Sequence, residues 1–415
     1  MKKLLIICLF FLGAMPLWTD ETAEDTPIRL KNRGFEIALL KTHVGFGNNF
    51  LAAKDVLQKT VIIDLDNLTK GFKTAIGVEI APVAININWK DRWGFGFDLG
   101  VATTYGNIEI SKNLLQLNQI HLEKFGVGAA AFLDVGIPTF FHIRKLKVKL
   151  RPAVFLPLAY AKPGMNYTFK EKADGFRMAI DYNMFVYAPF SLDFIETGDS
   201  FDLSEIPQAL NTTTLGFDFN TNLEFPLFPW LDVGINLYNI PLKPSVLYNY
   251  MRMAGELFVD TSTIDFADLA NGGKFPDDIW GYPGSPEDFL LELEYGMGEE
   301  KIMRPFKLIS YVVYRPFKKH PHFLLIPSLG FSINPVYVQR DSIEGGLKVC
   351  MDLANMFITT LGVNYEDQLW KNSINFVINL KAIEVDFGLI FESQNFIKSW
   401  QGAGAGVNFG LKLGW

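Results

Sequence analysis

The carboxyl-terminal segment 407–415 alternates strictly between large apolar residues and polar or small ones. The apolar positions are Val407, Phe409, Leu411, Leu413 and Trp415, and the positions between them are Asn408, Gly410, Lys412 and Gly414. Successive side chains of a β-strand point to opposite faces, so this segment has one apolar face. It also ends on an aromatic residue. The pattern is typical of the closing strand of an outer-membrane β-barrel, and an edge strand of a soluble sandwich shares the alternation.

The amino terminus favours the barrel, because it has the form of an export signal. Two lysines follow Met1, and the stretch 4–15 is apolar throughout but too short to cross a bilayer as a helix. We predict a signal peptide over 1–19, with cleavage between Met15 and Glu24. Residues 20–33 then form a periplasmic or plug segment, and 34–415 form the barrel.

Composition excludes several other classes. The chain of 415 residues is 49% hydrophobic, yet no run of 18 or more apolar residues follows the signal, which excludes helical membrane spans. A net charge of −7 argues against nucleic acid as a partner. Cys350 is the one cysteine beyond the signal, so no internal disulfide is expected.

The same alternation recurs along the chain, most clearly over 93–105. Trp93, Phe95 and Phe97 share one face there, and glycines with Asp98 occupy the other. Large apolar groups suit lipid and small or charged groups suit a lumen, so the pattern predicts an inside-out barrel strand. Similar segments predict an all-β fold: a transmembrane antiparallel β-barrel of about 14 strands, with long extracellular loops that carry short helices.

Connection lengths support this topology, because short turns alternate with long segments along the chain. The long connections include 47–72, 106–122, 161–211 and 244–302, whereas 138–145 is predicted to be a short turn. Several tryptophans lie near predicted strand ends, where their rings suit lipid headgroups.

With these features the chain resembles the FadL-type long-chain fatty acid transporters and related outer-membrane barrels. The resemblance is architectural and spans the mature chain. It implies passive uptake, a plug inside the barrel and a lateral opening at a kinked strand. The segment before the first predicted strand is shorter than the family's plug. The apolar stretch 50–70 is a possible substitute, with Phe50, Leu57, Ile62 and Leu65 as its candidate lid or plug residues.

Two further sets of residues are candidates for function. The first is a row of cations expected to face the lumen, where a carboxylate or phosphate could bind: Lys147, Lys149, Arg151 and Lys412. The alternative is ordinary ion pairing with lumenal acids such as Asp98, Asp134, Asp218 and Glu224. The second is the candidate assembly signal, formed by Phe409, Leu411, Leu413 and Trp415.

No catalytic motif is visible. The five histidines are accompanied by neither a Gly-x-Ser-x-Gly elbow nor a His-Glu-x-x-His helix. We therefore expect no enzyme activity, no metal and no cofactor.

The sequence predicts an exported monomer in the outer membrane of a two-membrane bacterium. Its expected partners are outer-membrane lipid, the barrel-assembly machinery and a hydrophobic small-molecule substrate. The leading hypothesis is a channel for passive uptake of hydrophobic or amphipathic molecules such as long-chain fatty acids. A surface-exposed structural or adhesive barrel and a general porin remain as alternatives.

Overall fold

The computed structural model describes residues 34–48, 72–89, 92–110, 126–162, 165–172, 175–192, 215–260, 292–317, 322–333, 342–353, 356–366, 369–393, 395–402 and 404–414. These residues form a closed antiparallel β-barrel with one short helix, α1 (Phe396–Trp400). No helix in this part of the chain is long and apolar enough to cross a bilayer.

The strands follow one another in simple order around the wall. They are β1 (Phe35–Asn48), β2 (Phe72–Trp89), β3 (Trp93–Ile110), β4 (Gly126–Gly136), β5 (Thr139–Ile143), β6 (Leu146–Lys162), β7 (Met165–Lys172), β8 (Gly175–Ala188), β9 (Gly216–Phe228), β10 (Leu231–Lys243), β11 (Ser245–Asp260), β12 (Glu292–Ile302), β13 (Phe306–Tyr314), β14 (Phe323–Ile333), β15 (Ser342–Leu353), β16 (Phe357–Glu366), β17 (Leu369–Asn379), β18 (Ile383–Ser393) and β19 (Ala405–Gly414).

Pairing of the first strand with the last closes the wall. The register of β1 and β19 runs from Glu36 opposite Gly414 to Phe46 opposite Ala405. In five cases two successive strands lie end to end and together occupy a single position in the wall. These are β4 with β5, β6 with β7, β8 with β9, β10 with β11, and β12 with β13. The described strands therefore occupy 14 positions, as predicted.

The faces of the strands are those of a membrane barrel. On β19 the side chains of Val407 and Phe409 are 47% and 40% exposed on the outside, whereas Asn408, which lies between them, is 7% exposed. The same outward exposure holds for Phe95 on β3 and Phe387 on β18. Exposed apolar side chains around the wall form a lipid-facing belt, and the structure is an outer-membrane-type barrel.

Tight turns between neighbouring strands lie at one end of the barrel. The connections from Trp89 to Trp93 and from Asn379 to Ile383 are short and lie at this end, where β1 begins and β19 ends. Aromatic rings mark this end too: the ring centroids of Trp89 and Trp93 lie 6.2 Å apart, and both side chains are exposed. Such rings suit the lipid headgroup level.

Three predicted connections were wrong. The segments 161–211 and 244–302 contain strands β7, β8, β11 and β12, and the predicted turn 138–145 contains β5. On β11 a buried Leu247 is followed by the half-buried Tyr250 and the buried Met251, so both faces carry large apolar residues. The large-small alternation that identified the other strands is missing there.

Several predictions fall outside the described residues. These are the signal peptide and the 20–33 segment, the candidate plug residues Phe50, Leu57, Ile62 and Leu65, and the terminal Trp415. They stay predictions.

The wall is interrupted in four of the five neighbouring positions that are built from two strands; at the fifth, residues 163 and 164 between β6 and β7 lie outside the described residues. The breaks lie at Ile137–Pro138 between β4 and β5, between Ala188 and Gly216 where β8 gives way to β9, at Pro244 between β10 and β11, and over 303–305 between β12 and β13. Proline lacks the N–H that a strand needs for its ladder, which accounts for three of the breaks. The strip of wall that contains the four breaks is called the seam below.

Candidate functional site

A network of charged side chains lies on the lumenal side of the seam, and Arg151 on β6 stands at one end of it. The guanidinium of Arg151 donates two hydrogen bonds to Asp98 through Nε, at 3.0 and 2.8 Å, and Nη2 donates a third at 2.6 Å. Nη2 also donates to Oδ2 of Asp134, at 2.6 Å. A side chain at position 136 would collide with Arg151, so Gly136 makes room for the guanidinium.

Arg304 extends this network to the other strands of the seam. It belongs to the link between β12 and β13, and its guanidinium donates two hydrogen bonds to Asp218, at 2.7 and 2.6 Å. It also lies 3.1 Å from the carboxylate of Asp134. The side chain of Arg304 is 9% exposed and that of Asp218 is 2% exposed. Burial of this kind requires charges to be paired, and these are.

The network joins β3, β4, β6, β9 and the link before β13 across the interrupted strands. Its members are Asp98, Asp134, Asp218, Arg151 and Arg304, which carry a formal charge of −1 together. Where proline has removed ladder hydrogen bonds, ionic hydrogen bonds tie neighbouring strands instead. We infer that the network stabilises the seam.

An apolar patch borders the network on the side of the long connections. The guanidinium of Arg304 lies 5.1 Å from the centroid of the Phe155 ring, and this ring packs edge-on against Phe132 at 5.9 Å. Phe185 and Tyr250 meet at 5.6 Å, and Tyr187 lies 6.1 Å from Tyr250. The aromatic patch is defined as Phe132, Phe155, Tyr160, Phe185, Tyr187 and Tyr250.

Strand register places the aromatic patch on the lumenal face. Tyr160, Tyr187 and Tyr250 are direct neighbours on three adjacent strands. Phe132 lies two residues from the lumenal Asp134, and Phe155 lies four residues from the lumenal Arg151, so both point inward. Leu247 and Ile302 pack into the same cluster and are buried. The lumenal wall here is apolar, unlike the polar lumen usual for a porin.

The rings of the aromatic patch differ in accessibility. Phe132 and Phe155 are 1% and 2% exposed, so they serve mainly as packing. Tyr160, Phe185 and Tyr250 are only partly buried. These three rings offer a lumenal surface that an apolar molecule can touch.

The four cations predicted from the sequence fall into two groups. Lys147 forms an ion pair with Glu224, Arg151 belongs to the network, and Lys412 lies 3.2 Å from Glu384. Lys149 forms no ion pair with a described residue. It lies opposite Phe140 and Asn222, between Lys147 and Arg151 on the lumenal face. Ion pairing thus accounts for three of the four, and a ligand-binding role for the set stays a prediction.

Sequence reasoning missed Arg304 and most of the aromatic patch. Phe185, Tyr187 and Tyr250 lie in segments that were predicted to be loops, and Arg304 lies next to one. The proline that follows Arg304 was the one signal in the sequence for this residue. A proline within a strand-like run indicates a break in the strand, and the residue beside the break can point inward. Within the described residues, no group of three or more histidine, cysteine or acidic side chains is arranged to hold a metal ion.

No protein-family model matches the chain, and no curated protein matches it. Solved structures with a similar course of the chain include the toluene transporter TbuX of Ralstonia pickettii, at 9% identity and a TM-score of 0.42, with 93% of this chain and 90% of that one covered. The Pseudomonas putida toluene transporter TodX matches at 7% identity and a TM-score of 0.44, with coverages of 96% and 93%. A Pseudomonas aeruginosa FadL homologue matches at 8% and 0.40, with coverages of 91% and 88%.

Proposed function

We propose that the protein is a passive outer-membrane channel for hydrophobic or amphipathic molecules, with long-chain fatty acids as the first class to test. The aromatic patch carries this proposal. A channel for water-soluble solutes gains nothing from partly exposed rings in its lumen, whereas an apolar solute gains roughly 25 cal/mol for each Å² of its surface that leaves water.

The position of the patch supports the same function. Its rings lie beside the seam, where β8 gives way to β9 and the ladder to β6 and β10 is interrupted. An apolar molecule could leave the lumen for the lipid at such an interruption without crossing an unbroken ladder. This route assigns to the seam the opening that the family resemblance implies at a kinked strand.

The lumenal cations complete the proposal for amphipathic acids. Lys149 is the cation best placed to meet a carboxylate, because Lys147, Arg151 and Lys412 already have acidic partners. A ligand that binds Lys149 need not break an existing ion pair. The role of the stretch 50–70 as a lid or plug remains part of the proposal, through Phe50, Leu57, Ile62 and Leu65.

We also propose that the barrel is monomeric and that the assembly machinery recognises its last strand through Phe409, Leu411, Leu413 and Trp415. The closed ladder between β1 and β19 supports the monomer, because it leaves no free edge at that junction for a second chain. The proposal includes no catalysis and no cofactor.

The test is entry into vesicles that contain the purified protein. A fluorescent long-chain fatty acid should enter faster than into protein-free vesicles, while small sugars should enter slowly. Rapid sugar entry without any fatty acid effect would establish a porin and refute the proposal. Absence of both activities would favour a structural or adhesive barrel.

A further inference from the structure

Helix α1 lies on the outside of the barrel wall, at the end that carries the long connections. On β17 the exposed side chains of Phe376 and Ile378 face outward, so Asn372, an even number of residues away, faces outward as well. Yet Asn372 is only 2% exposed, and its Nδ2 donates a hydrogen bond to Oγ of Ser399 in α1, at 2.7 Å. The helix therefore packs on the outer face of β17.

The underside of α1 is polar, and several of its groups are hydrogen-bonded. Ser399 is 0% exposed, and its hydroxyl donates to the carbonyl oxygen of Phe396 at 2.6 Å. Asn395 caps the helix by accepting hydrogen bonds from the backbone N–H groups of Ile397 and Lys398, at 2.9 and 3.2 Å. Ser393, outward-facing on β18 and 0% exposed, receives the Asn395 N–H at 3.2 Å. A polar region of the outer wall is thereby covered.

The outer side of α1 is apolar. Phe396, Ile397 and Trp400 are 44%, 66% and 59% exposed. Phe396 packs edge-on against Trp370 of β17 at 4.9 Å, and Trp370 lies 5.0 Å from Tyr365 of β16. We define the rim patch as Tyr365, Trp370, Phe396, Ile397 and Trp400.

The depth of the rim patch follows from strand geometry. Trp370 and Ile378 both face outward on β17, and the eight residue steps from one to the other span roughly 27 Å along the strand, or about 20 Å along the barrel axis at a usual tilt. Ile378 lies next to the turn that links Asn379 to Ile383, at the opposite end of the belt. Trp370 and the helix packed on it therefore lie at the far margin of an apolar band about 25 Å tall.

We propose that the rim patch docks on the lipid of the outer leaflet, at the boundary between headgroups and acyl chains. Helix α1 packs on β17 and β18, where Phe376 and Leu389 are exposed to lipid, so the rim patch continues the belt. Amphipathic rings prefer this boundary. A short helix with a polar underside and an apolar outer side serves here as an anchor that fixes the depth of this part of the rim.

The proposal can be tested with nitroxide spin labels on single cysteines, in the full-length protein with Cys8→Ala and Cys350→Ala, reconstituted in phosphatidylcholine vesicles. A label at Ile397→Cys should be relaxed more by oxygen, which concentrates in lipid, than by a water-soluble nickel chelate. Phe376→Cys provides the lipid-exposed control and Lys301→Cys, on the exposed part of β12, the aqueous control. A label at Ile397 that behaves like the one at Lys301 would overturn the proposal. Spin–spin broadening that grows with protein density would show a second copy on the patch and would overturn it too.

A second experiment does not depend on the label. Ile397→Asp should lower the fraction of folded barrel recovered in vesicles several-fold, because the charge enters the lipid boundary. Recovery in detergent micelles, which adapt to the surface, should change little. Lys398→Asp, one residue away on the same helix, is the matched control and should behave alike in both media. Equal losses of Ile397→Asp in vesicles and micelles would indicate a purely structural helix and would refute lipid docking.

Discussion

The two sides of the barrel are built differently. From β14 through β19 each described strand is continuous, and the pairing of β15 with β16 runs from Gly345 opposite Tyr365 to Leu353 opposite Phe357 without a shift. From β4 through β13 four of the five wall positions are interrupted within the described residues, and side-chain networks take over where the ladder stops. The regular side, from β14 through β19, is held together mainly by its uninterrupted backbone ladder. The seam side holds the aromatic patch and most of the buried charges that cross between strands.

The contrast shows where a β-barrel can acquire a specific interior. An unbroken antiparallel ladder fixes every second side chain inward, and its register leaves little freedom to aim a group. A break or bulge re-aims side chains and lets a residue such as Arg304 reach Asp218 and Asp134, which lie two and four wall positions from its own. Four predictions test this difference, from the largest expected effect to the smallest.

Replacing Arg304 by Met should cost about 3 kcal/mol of unfolding free energy, because Asp134 and Asp218 are left buried with one cation fewer. The matched control is Arg252→Met, whose pair with Glu294 is 38% and 54% exposed and contributes less than about 1 kcal/mol. Urea unfolding in lipid vesicles measures both. If the two variants lose the same stability, the network is not what holds the seam.

On the regular side, Leu411→Asp should reduce stability by about 2 kcal/mol, because it places a charge on the lipid face of β19. Lys412→Asp places its negative charge on the lumenal face. It removes the ion pair with Glu384 and should lower the unfolding free energy by less than Leu411→Asp does. Heat-modifiable mobility on gels reports the folded fraction of each. The opposite order would contradict the assignment of the two faces.

In the aromatic patch, Tyr250→Ala should slow fatty acid entry into vesicles about fivefold, since an aromatic contact contributes roughly 1 kcal/mol beyond its area. Phe387→Ala removes an exposed ring from the lipid side of β18 and should leave the rate unchanged. Entry rates should be normalised to the amount of folded barrel. An equal effect of both variants would assign the loss to the membrane fit of the barrel rather than to its lumen.

The smallest effect is expected for Lys149→Gln, which should slow entry of a fatty acid about twofold and leave an uncharged fatty alcohol unaffected, because one hydrogen bond of about 0.5 kcal/mol is lost. Lys147→Gln, beside it, should instead lower stability through Glu224. If the acid and the alcohol slow equally, Lys149 does not meet the carboxylate.

The sequence predicted the regular side well, because lipid outside and polar groups inside impose a strict two-residue period. Residues such as Val407, Asn408 and Phe409 could be assigned to their faces directly. The seam side could not be read in this way. On β11 the lumenal Tyr250 and the outward Met251 are both apolar, so the period disappears. Partners such as Arg304 and Asp218 are 86 positions apart and become neighbours only through the fold.

Closure of the barrel has a consequence for how the chain reaches its folded state. The hydroxyl of Thr42 and the carbonyl oxygen of Phe409, hydrogen-bonded across the closing junction, are 367 positions apart in the sequence. Contacts this distant form slowly, because the chain must lose much of its freedom before any of them is made. Until the last strand arrives, β1 presents an unpaired edge on which other chains could aggregate. The rate of the closing step of folding should therefore depend on the first and last strands together.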